Sequence, residues 1–280
     1  MDKLIVVDGS NLLFQMFYGM PARIFGRNGQ PVQGTIGFIG ALLKSIRMTG
    51  ASHVAVLFDG ECENGRREVD EAYKANRPDY SEVPEEDTPF SQLPDIYRTL
   101  DHLGICHRET TDCEADDWIA GYVQKYGSDM DVVILSQDSD FYQLVTDRVR
   151  VLRYRGKQSA ILGPEEIHQK LGVWPKNYAA FKSLTGDQAD NIRGVEKVGP
   201  KTAAALMDQF ADIETMIQNT DQISKPSIRE SVRRNVQRIR TNYFLIKLTG
   251  AEELPFSLED LVFEDSGITS VQVLKELGIL

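Results

Sequence analysis

The first half of the chain alternates short apolar runs with longer helical patterns. Residues 4–7, 53–58 and 132–135 are continuous apolar runs, and residues 149–154 form a fourth, less regular one. Strands that are apolar on both faces are typical of a parallel sheet covered by helices on both sides. Their alternation with helices therefore predicts an α/β fold.

Two segments between these runs have helical spacing, namely residues 34–48 and 115–126. From about residue 161 the pattern consists of helices and turns alone, with pairs such as Gly163-Pro164 and Gly199-Pro200 at the turns. We therefore predict an α/β domain over residues 1–175 and a smaller all-helical domain over residues 176–280. Residues 78–94 hold four prolines and five acids, which predicts an irregular loop or arch without core positions.

Length and composition are those of an ordinary globular protein, with 280 residues, 41% hydrophobic and 26% charged. No apolar run approaches the ~20 residues that a membrane span needs. The three cysteines, Cys62, Cys106 and Cys113, form no CxxC pair. This argues against a disulfide framework and a structural zinc site, and it predicts a cytoplasmic location.

The charge is unevenly distributed along the chain. The formal net charge of -11 argues by itself against a nucleic-acid partner. However, residues 225–247 carry seven Lys or Arg against the single acid Glu230, and residues 148–157 carry five basic residues and no acid. The acids must therefore be concentrated elsewhere.

Acidic residues follow three of the predicted strands. Asp8 follows the first run, Asp59 follows the second, and the sequence SQDSD after the third supplies Asp138 and Asp140. The carboxyl ends of parallel strands lie at one edge of a sheet, where α/β proteins bind their ligands. We therefore expect these four carboxylates to meet.

Further acids lie in two short motifs. CEADD supplies Glu114, Asp116 and Asp117 at the start of a helix, and GDQADN supplies Asp187 and Asp190. Carboxylates packed together repel one another unless cations bind between them. Oxygen ligands without His or Cys indicate Mg²⁺ or Mn²⁺, and nine candidates are too many for one ion, which predicts a two-metal site.

Two other interpretations of these acids stay open from the residues alone. A single Asp after a strand is usually a turn former or a helix cap. The pair Asp138 and Asp140 also has the spacing of a phosphoaspartate phosphatase, although that would leave Asp8 and Asp59 unexplained. No phosphate-binding loop motif or dinucleotide fingerprint is present.

A glycine-bounded turn precedes a predicted helix over residues 203–210. Gly194 and Gly199 bracket this turn, and Lys201 and Thr202 open the helix. Backbone N–H groups at such a helix start can bind a phosphate of DNA without reading its sequence. An ordinary helix–turn–helix connection is the alternative.

Seven motifs in this order resemble those of the bacterial 5′-3′ exonuclease or flap endonuclease family, which includes the 5′-nuclease domain of DNA polymerase I. They are VVDGSN, LFDG, YKANR, CEADD, SQDSD, GDQADN and GVEKVGPKTA, and they extend from residue 1 to at least residue 250. The resemblance implies a PIN-like parallel sheet flanked by helices and a smaller helix-hairpin-helix-type DNA-binding domain. It implies two-metal hydrolysis of DNA at 5′ ends and flaps during replication and repair. At 280 residues the chain resembles the standalone type.

The resemblance also assigns residues by position. The metal ligands, two Mg²⁺ with Mn²⁺ as a substitute, would be Asp8, Asp59, Glu114, Asp116, Asp117, Asp138, Asp140, Asp187 and Asp190. Lys74 and Arg77 would offset charge on the scissile phosphate from an arch over about residues 66–95, and Tyr73 would stack on a base. Backbone oxygens in the hairpin would hold K⁺, from Leu184, Thr185, Arg193, Val195 and Val198.

DNA contacts are expected in the helical half as well. Phosphates of duplex DNA would be bound by Gly194, Gly199, Lys201, Thr202, Arg233 and Arg234. Gln15 stands where many relatives have an arginine, so a phosphate contact there is not expected. We expect a monomer whose partner is DNA with 5′ ends, flaps or junctions. A PIN-like ribonuclease and a DNA-structure binding protein with weak catalysis are the alternatives.

Overall fold

The computed structural model describes residues 2–20, 22–60 and 65–280. Of the residues discussed above, Cys62 lies outside this range. Within it, no helix is both long enough and apolar enough to cross a membrane.

A six-stranded sheet forms the centre of the α/β half. Its strands are β1 (Lys3–Asp8), β2 (His53–Phe58), β3 (Cys106–Glu109), β4 (Asp131–Leu135), β5 (Val149–Arg153) and β6 (Ala160–Leu162). The order across the sheet is β3-β2-β1-β4-β5-β6, and all neighbours are parallel except the β5–β6 pair. The predicted α/β class with a parallel sheet is therefore confirmed.

The three central strands correspond to the three continuous apolar runs. Every residue of β2 is buried, and β1 and β4 are buried except at their first residue. The sequence did not reveal β3 and β6, because both are short and mostly exposed or half-buried at the sheet's edges. The run at 149–154 ends one residue early, at Arg153.

Five helices accompany the sheet. They are α1 (Gly9–Gly19), α2 (Gln33–Thr49), α3 (Gly65–Val69), α4 (Leu93–His102) and α5 (Ala115–Tyr126). The helices expected at 34–48 and 115–126 are α2 and α5, whereas α4 was not predicted because a proline-rich segment precedes it. Helices α1, α2 and α4 cover one face of the sheet and α5 covers the other.

The second half is mainly helical. Its helices are α6 (Pro164–Leu171), α7 (Tyr178–Thr185), α8 (Pro200–Gln209), α9 (Ile213–Gln218), α10 (Pro226–Arg234), α11 (Val236–Ile246) and α12 (Ser270–Glu276). Two very short strands, β7 (Gly186–Asp187) and β8 (Ile192–Arg193), pair between α7 and α8. Short 3-10 turns occur at Glu85–Asp87, Pro89–Gln92, Asp140–Leu144, Gly156–Gln158, Pro175–Asn177, Thr220–Gln222 and Glu259–Leu261.

The end of the chain returns to the α/β half. Val273 and Leu274 of α12 are fully buried in the core that α2 shares with the sheet. Phe263 N donates a hydrogen bond to Ser52 O (2.8 Å), just before β2. The range 176–280 that we expected to form the helical domain therefore includes a last segment that packs on the first half, because its apolar side chains complete that core.

The segment 78–94 is only partly the open loop that its composition predicts. Pro89 and Gln92 are buried, and the Gln92 side chain donates to Pro31 O (2.6 Å). Tyr80 and Phe90 pack edge-on against each other and against Phe14 of α1. The expectation that no core position holds this segment was wrong for its last third, because polar and aromatic anchors replace an aliphatic pattern there.

Candidate active site

Asp8 lies at the carboxyl end of β1, where it also caps α1. Its Oδ1 accepts from Asn11 N (3.0 Å) and its Oδ2 from the Ser136 hydroxyl (2.8 Å). Burial, and then the neighbouring Asp59 carboxylate, raise the pKa of Asp8 to about 7. Capping was the alternative interpretation of this residue, and here capping and membership of an acidic cluster coexist.

Asp59, Asp116 and Asp138 lie around Asp8. Asp59 follows β2 and accepts from Ala115 N (3.0 Å), which links it to the start of α5. Burial raises the pKa of Asp116 well above its usual range, and the carboxylates of Asp138, Asp8 and Asp59 raise it further. The ends of β1, β2 and β4 therefore bring three acids to one edge, and α5 adds a fourth.

A second group joins Asp140, Asp187 and Asp190. One carboxylate oxygen from each lies within 4.8 Å of the others. Burial and then Asp138 raise the pKa of Asp140, so Asp138 belongs to the surroundings of both groups. Lys182 of α7 forms an ion pair with Asp187. The helical half thus completes an acidic edge that the sheet begins.

Glu114 and Asp117 are bound by cations. Arg66 pairs with Glu114 Oε2 (2.5 Å) and with both oxygens of Asp117 (2.7 and 3.2 Å). Lys74 Nζ pairs with Glu114 Oε1 (2.5 Å). Burial by itself would raise the pKa of Glu114, but the Lys74 and Arg66 cations outweigh it and hold that pKa below its usual range. Glu114, the N-cap residue of α5, and Asp117 in its first turn therefore both face Arg66.

The segment around Lys74 is attached to the helical half. Lys74 N donates to Asp190 O (3.0 Å), and Asn76 Nδ2 donates to Gln188 O (2.9 Å). Arg77 is exposed and its Nη2 lies 3.7 Å from Asp190 Oδ1. Lys74 has a φ of 55°, an unusual value for a residue other than glycine. Both predicted cations thus lie beside the acidic edge.

The expectation that Tyr73 offers a stacking face to a base needs correction. Its side chain is only 4% exposed and packs with Ala179, Ile192 and Leu245 in a small core between the two halves. Lys74 Nζ lies 4.9 Å from the centroid of the ring. The ring is buried because the helical half packs directly over it, which the local sequence does not reveal.

The glycine-bounded hairpin is tightly closed. A Cβ on Gly194 would lie 2.3 Å from Thr185 O, so only glycine fits at this crossing. Lys201 and Thr202 lie in the first turn of α8, which begins at Pro200 rather than at residue 203. Of the five backbone oxygens proposed for K⁺, three accept protein hydrogen bonds, those of Leu184, Arg193 and Val195.

The basic segment 225–247 forms two helices. They are α10 and α11, which meet at Asn235. Arg233 pairs with Asp221 (2.6 Å) and Arg234 with Glu230 (2.6 Å). Both arginines are exposed, but each has an acidic partner in the free protein.

Sequence reasoning did not identify three residues of this site. Arg66, Lys182 and Ser136 contact the acids. Arg66 and Lys182 lie outside the seven motifs, and Ser136 is the first residue of SQDSD but was assigned no role. A basic residue at the beginning of the predicted arch was the available signal for Arg66. Gln15, where an arginine was expected in relatives, donates to Tyr154 O (2.7 Å).

The acidic edge meets the requirements of a cation site. Asp140 Oδ1 is buried and has no hydrogen-bond partner among the residues that the structure describes. Such an orphaned acceptor is costly unless a cation binds it. The donors are carboxylate oxygens, the ligands that Mg²⁺ and Mn²⁺ prefer.

The fold and the site together define an α/β protein with a group of carboxylates, a candidate cation site, at the carboxyl edge of its sheet, completed by a helical half. The 5'-3' exonuclease N-terminal resolvase-like domain matches residues 3–172, and the 5'-3' exonuclease C-terminal SAM fold matches residues 173–267. The chain therefore belongs to the 5'-3' exonuclease family.

Individual relatives agree with this assignment. Thermostable DNA polymerase I of Thermus thermophilus is 34% identical over 258 residues, which are 92% of this chain and 30% of that one. The 5'-3' exonuclease of Aquifex aeolicus is 29% identical over 99% of this chain and 92% of its own. The chain thus spans about 30% of the length of the DNA polymerase I relatives.

A solved structure shares the fold. The bacteriophage T5 flap endonuclease, in a pseudo-enzyme–product complex with DNA and metal ions, has a TM-score of 0.71 and 22% sequence identity. The match covers 88% of this chain and 89% of that chain. At this identity the likeness establishes the common fold.

Proposed function

We propose that the protein is a structure-specific 5′ nuclease, a 5′-3′ exonuclease and flap endonuclease that hydrolyses DNA phosphodiesters in replication and repair. The observation that supports this most is the acidic edge, where the ends of three parallel strands and the loop after β7 bring carboxylates together. Its relatives include a 5'-3' exonuclease and a flap endonuclease complexed with DNA and metal ions.

We propose two Mg²⁺ ions as cofactors, with Mn²⁺ as a substitute. Asp8, Asp59, Asp116 and Asp138 form one candidate group, and Asp140, Asp187 and Asp190 form the other. Divalent ions bound there would supply activation of water and neutralisation of charge on a phosphodiester. Glu114 and Asp117 would join them only after exchanging their pairs with Arg66 and Lys74.

Lys74 and Arg77, the two basic residues of the proposed arch beside the acidic edge, would bind the reacting phosphate. Lys74 is buried beside the acids and Arg77 stands exposed next to Asp190. When an anionic phosphodiester approaches, Lys74 can exchange the Glu114 carboxylate for a phosphate oxygen at little cost in desolvation, because it is already withdrawn from water. Both cations then stabilise negative charge as it develops.

The helical half would hold the duplex. Its hairpin, through Gly194 and Gly199, and the first turn of α8, through Lys201 and Thr202, present backbone N–H groups and one cation to phosphates. We propose that Leu184, Thr185, Arg193, Val195 and Val198 bind K⁺ there through carbonyl oxygens. We propose that the division between catalytic and DNA-binding parts lies at residues 175 and 176, and the family matches, which meet at residues 172 and 173, support a division in this region.

The experiment is a cleavage assay on a labelled 5′-flap DNA, using the purified chain with Mg²⁺ and with EDTA. We expect products cut at or near the junction with Mg²⁺ and none with EDTA. Parallel substrates with an RNA flap and an all-RNA duplex test the ribonuclease alternative. Binding without metal-dependent cleavage would instead favour a DNA-structure binding protein. Sedimentation of the free protein tests the proposed monomer.

A further inference from the structure

Two arginines beside the acidic edge have no role in the proposed chemistry. Arg153 Nη2 donates to Gln137 O (3.1 Å), and Arg155 Nε donates to Gln137 Oε1 (3.2 Å). Gln137 immediately precedes Asp138, so both guanidinium groups lie next to the strand end that supplies the shared carboxylate. They come from the basic stretch 148–157, which the proposed function leaves unused.

Lys170 of α6 belongs to the same group. Its Nζ lies 6.0 Å from the centroid of the Tyr142 ring, and the Tyr142 hydroxyl accepts from Arg153 Nη1 (2.9 Å). Burial lowers the pKa of Lys170, and the nearby charges of Arg153 and Arg155 lower it further. The three cations are therefore close enough to repel one another.

These cations lack acidic partners in the part of the chain that the structure describes. Among residues 2–20, 22–60 and 65–280, no ion pair joins a carboxylate to Arg153, Arg155 or Lys170. Arg233 and Arg234, by contrast, both have such a partner. The net charge of the protein is -11, so many carboxylates are present, yet none pairs with this cluster among the described residues. A cluster of cations without carboxylate partners attracts an external anion.

The basic groups continue toward α8, the helix that follows the hairpin. Lys170 and Lys201 both line a groove of about 470 Å³, together with Gly172, Pro200 and Asp208. Lys201 lies in the first turn of α8, a ten-residue helix whose unpaired N–H groups add positive potential at this end. Basic groups thus extend from the neighbourhood of Asp138 to the start of α8, with Asp208 as an acid at the far end.

We propose that Arg153, Arg155, Lys170 and Lys201 form a phosphate-binding track that holds the backbone of one DNA strand between the acidic edge and helix α8. The occupant is a DNA backbone because the basic groups extend from the cluster of Arg153, Arg155 and Lys170 along the groove to Lys201, whereas a single small anion would need all its donors to converge on one point. The proposal rests on the proposed nuclease function, since it assigns part of that substrate's path.

The test uses the full chain with Arg155→Ala and Lys170→Ala combined. Both side chains are exposed, so their removal leaves the core intact. Binding of a 5′-flap DNA is followed by fluorescence anisotropy in EDTA across a range of salt concentrations. We expect several-fold weaker binding and a slope of log K against log salt that is smaller by about 2, because each phosphate contact contributes about 0.9.

Two matched variants separate a local effect from general charge. Lys44→Ala with Lys275→Ala removes two exposed lysines from α2 and α12 on the other side of the sheet, and it should keep the wild-type slope. Arg155→Lys with Lys170→Arg keeps the charges and should keep most of the affinity. If Arg155→Ala with Lys170→Ala has the same slope as the Lys44 and Lys275 control, the proposed phosphate-binding track is wrong.

Substituted DNA locates the contact. Methylphosphonates, which are uncharged, replace single phosphates along each strand of the flap substrate. A methylphosphonate at a phosphate that faces Arg155 or Lys170 should weaken binding of the wild-type protein. The same substitution should not weaken binding of the double variant any further. Equal weakening of both proteins at every position would contradict the proposal.

The experiments distinguish an error in the proposed phosphate-binding track from an error in the proposed nuclease function. If the wild-type protein cleaves the flap with Mg²⁺ but the double variant keeps the wild-type slope, the track alone is wrong. If the wild-type protein does not cleave, the proposed function is wrong, and the binding comparison in EDTA still decides whether these cations hold DNA.

Discussion

Asp138 is the carboxylate shared by the two acidic groups. Burial raises the pKa of both Asp116 and Asp140, and Asp138 is the next cause in each case. We predict that Asp138→Ala abolishes Mg²⁺-dependent cleavage and leaves flap binding unchanged or tighter, because it removes a proposed metal ligand and a negative charge near a polyanion. Single-turnover cleavage and anisotropy measure the two effects.

An exposed acid away from the site supplies the control for this prediction. Glu253→Ala removes the same charge from the surface and should change neither measurement. Turnover of Asp138→Ala near the wild-type rate in Mg²⁺ would mean that this carboxylate is not a metal ligand.

Asp8 gives a prediction about pH. Burial and Asp59 raise its pKa from 3.8 to about 7, so between these values the folded protein keeps a proton that the unfolded chain loses. Its contribution to stability is complete below pH 3.8 and is lost as the pH rises through about 7, with a slope of up to about 1.4 kcal/mol per pH unit. In EDTA the unfolding midpoint should therefore fall as the pH rises over this range.

Asp8→Asn tests the origin of this dependence. The asparagine keeps a carbonyl oxygen for Asn11 N but cannot ionise, so the midpoint should vary less with pH than in the wild-type protein. Mg²⁺ should raise the wild-type midpoint more at high pH than at low pH, because it competes with protons for the acids. Identical pH profiles of the two proteins would rule out Asp8 as the cause.

At the scale of elements, the segment 78–94 divides into two parts. Residues 81–87 are mostly exposed, whereas Thr88, Pro89 and Gln92 are buried. We predict that amide hydrogens in residues 81–87 exchange quickly in the free protein and slow down with a 5′-flap DNA in EDTA, while those of residues 91–93 exchange slowly in both states. Hydrogen exchange with mass spectrometry measures these rates. If exchange is slow throughout residues 78–94 and DNA does not change it, the segment is not an arch.

The hairpin between α7 and α8 depends on a glycine. A Cβ at Gly194 would lie 2.3 Å from Thr185 O, a backbone atom that cannot move without opening the β7–β8 pair. We predict that Gly194→Ala lowers the free energy of unfolding by about 1–3 kcal/mol, the usual cost of overpacking. Urea unfolding measures it, with Gly19→Ala as the control, because a Cβ there meets nothing within 4 Å.

At the scale of the whole molecule, we expect DNA binding to depend more on which cations are paired with acids than on the total charge. Arg233 and Arg234 are exposed but paired with Asp221 and Glu230. We predict that Arg233→Ala with Arg234→Ala lowers the slope of log K against log salt by less than the value of about 2 expected for two free charges, because each arginine must first leave its acid. An unchanged slope would show that this face does not touch DNA.

The sequence alone determined the centre of the sheet and much of the acidic edge. Residues 4–7, 53–58 and 132–135 are continuous apolar runs, which are typical of strands in a parallel sheet covered on both faces. Parallel strands end at one edge, so the sequence predicts that Asp8, Asp59 and Asp138 meet there. Family membership followed from motifs in order, and both it and the fold class are confirmed.

Only the tertiary structure decided which partners these residues have. The pairing of Arg66 and Lys74 with Glu114, the burial of Tyr73 and the return of α12 to the first core all join residues that are 40 or more positions apart. Local periodicity reports which face of an element is apolar, but it contains nothing about what covers that face. The sequence predicts a base-stacking role for Tyr73, whereas the packing of the helical half buries its side chain, because burial is a property of the assembled fold.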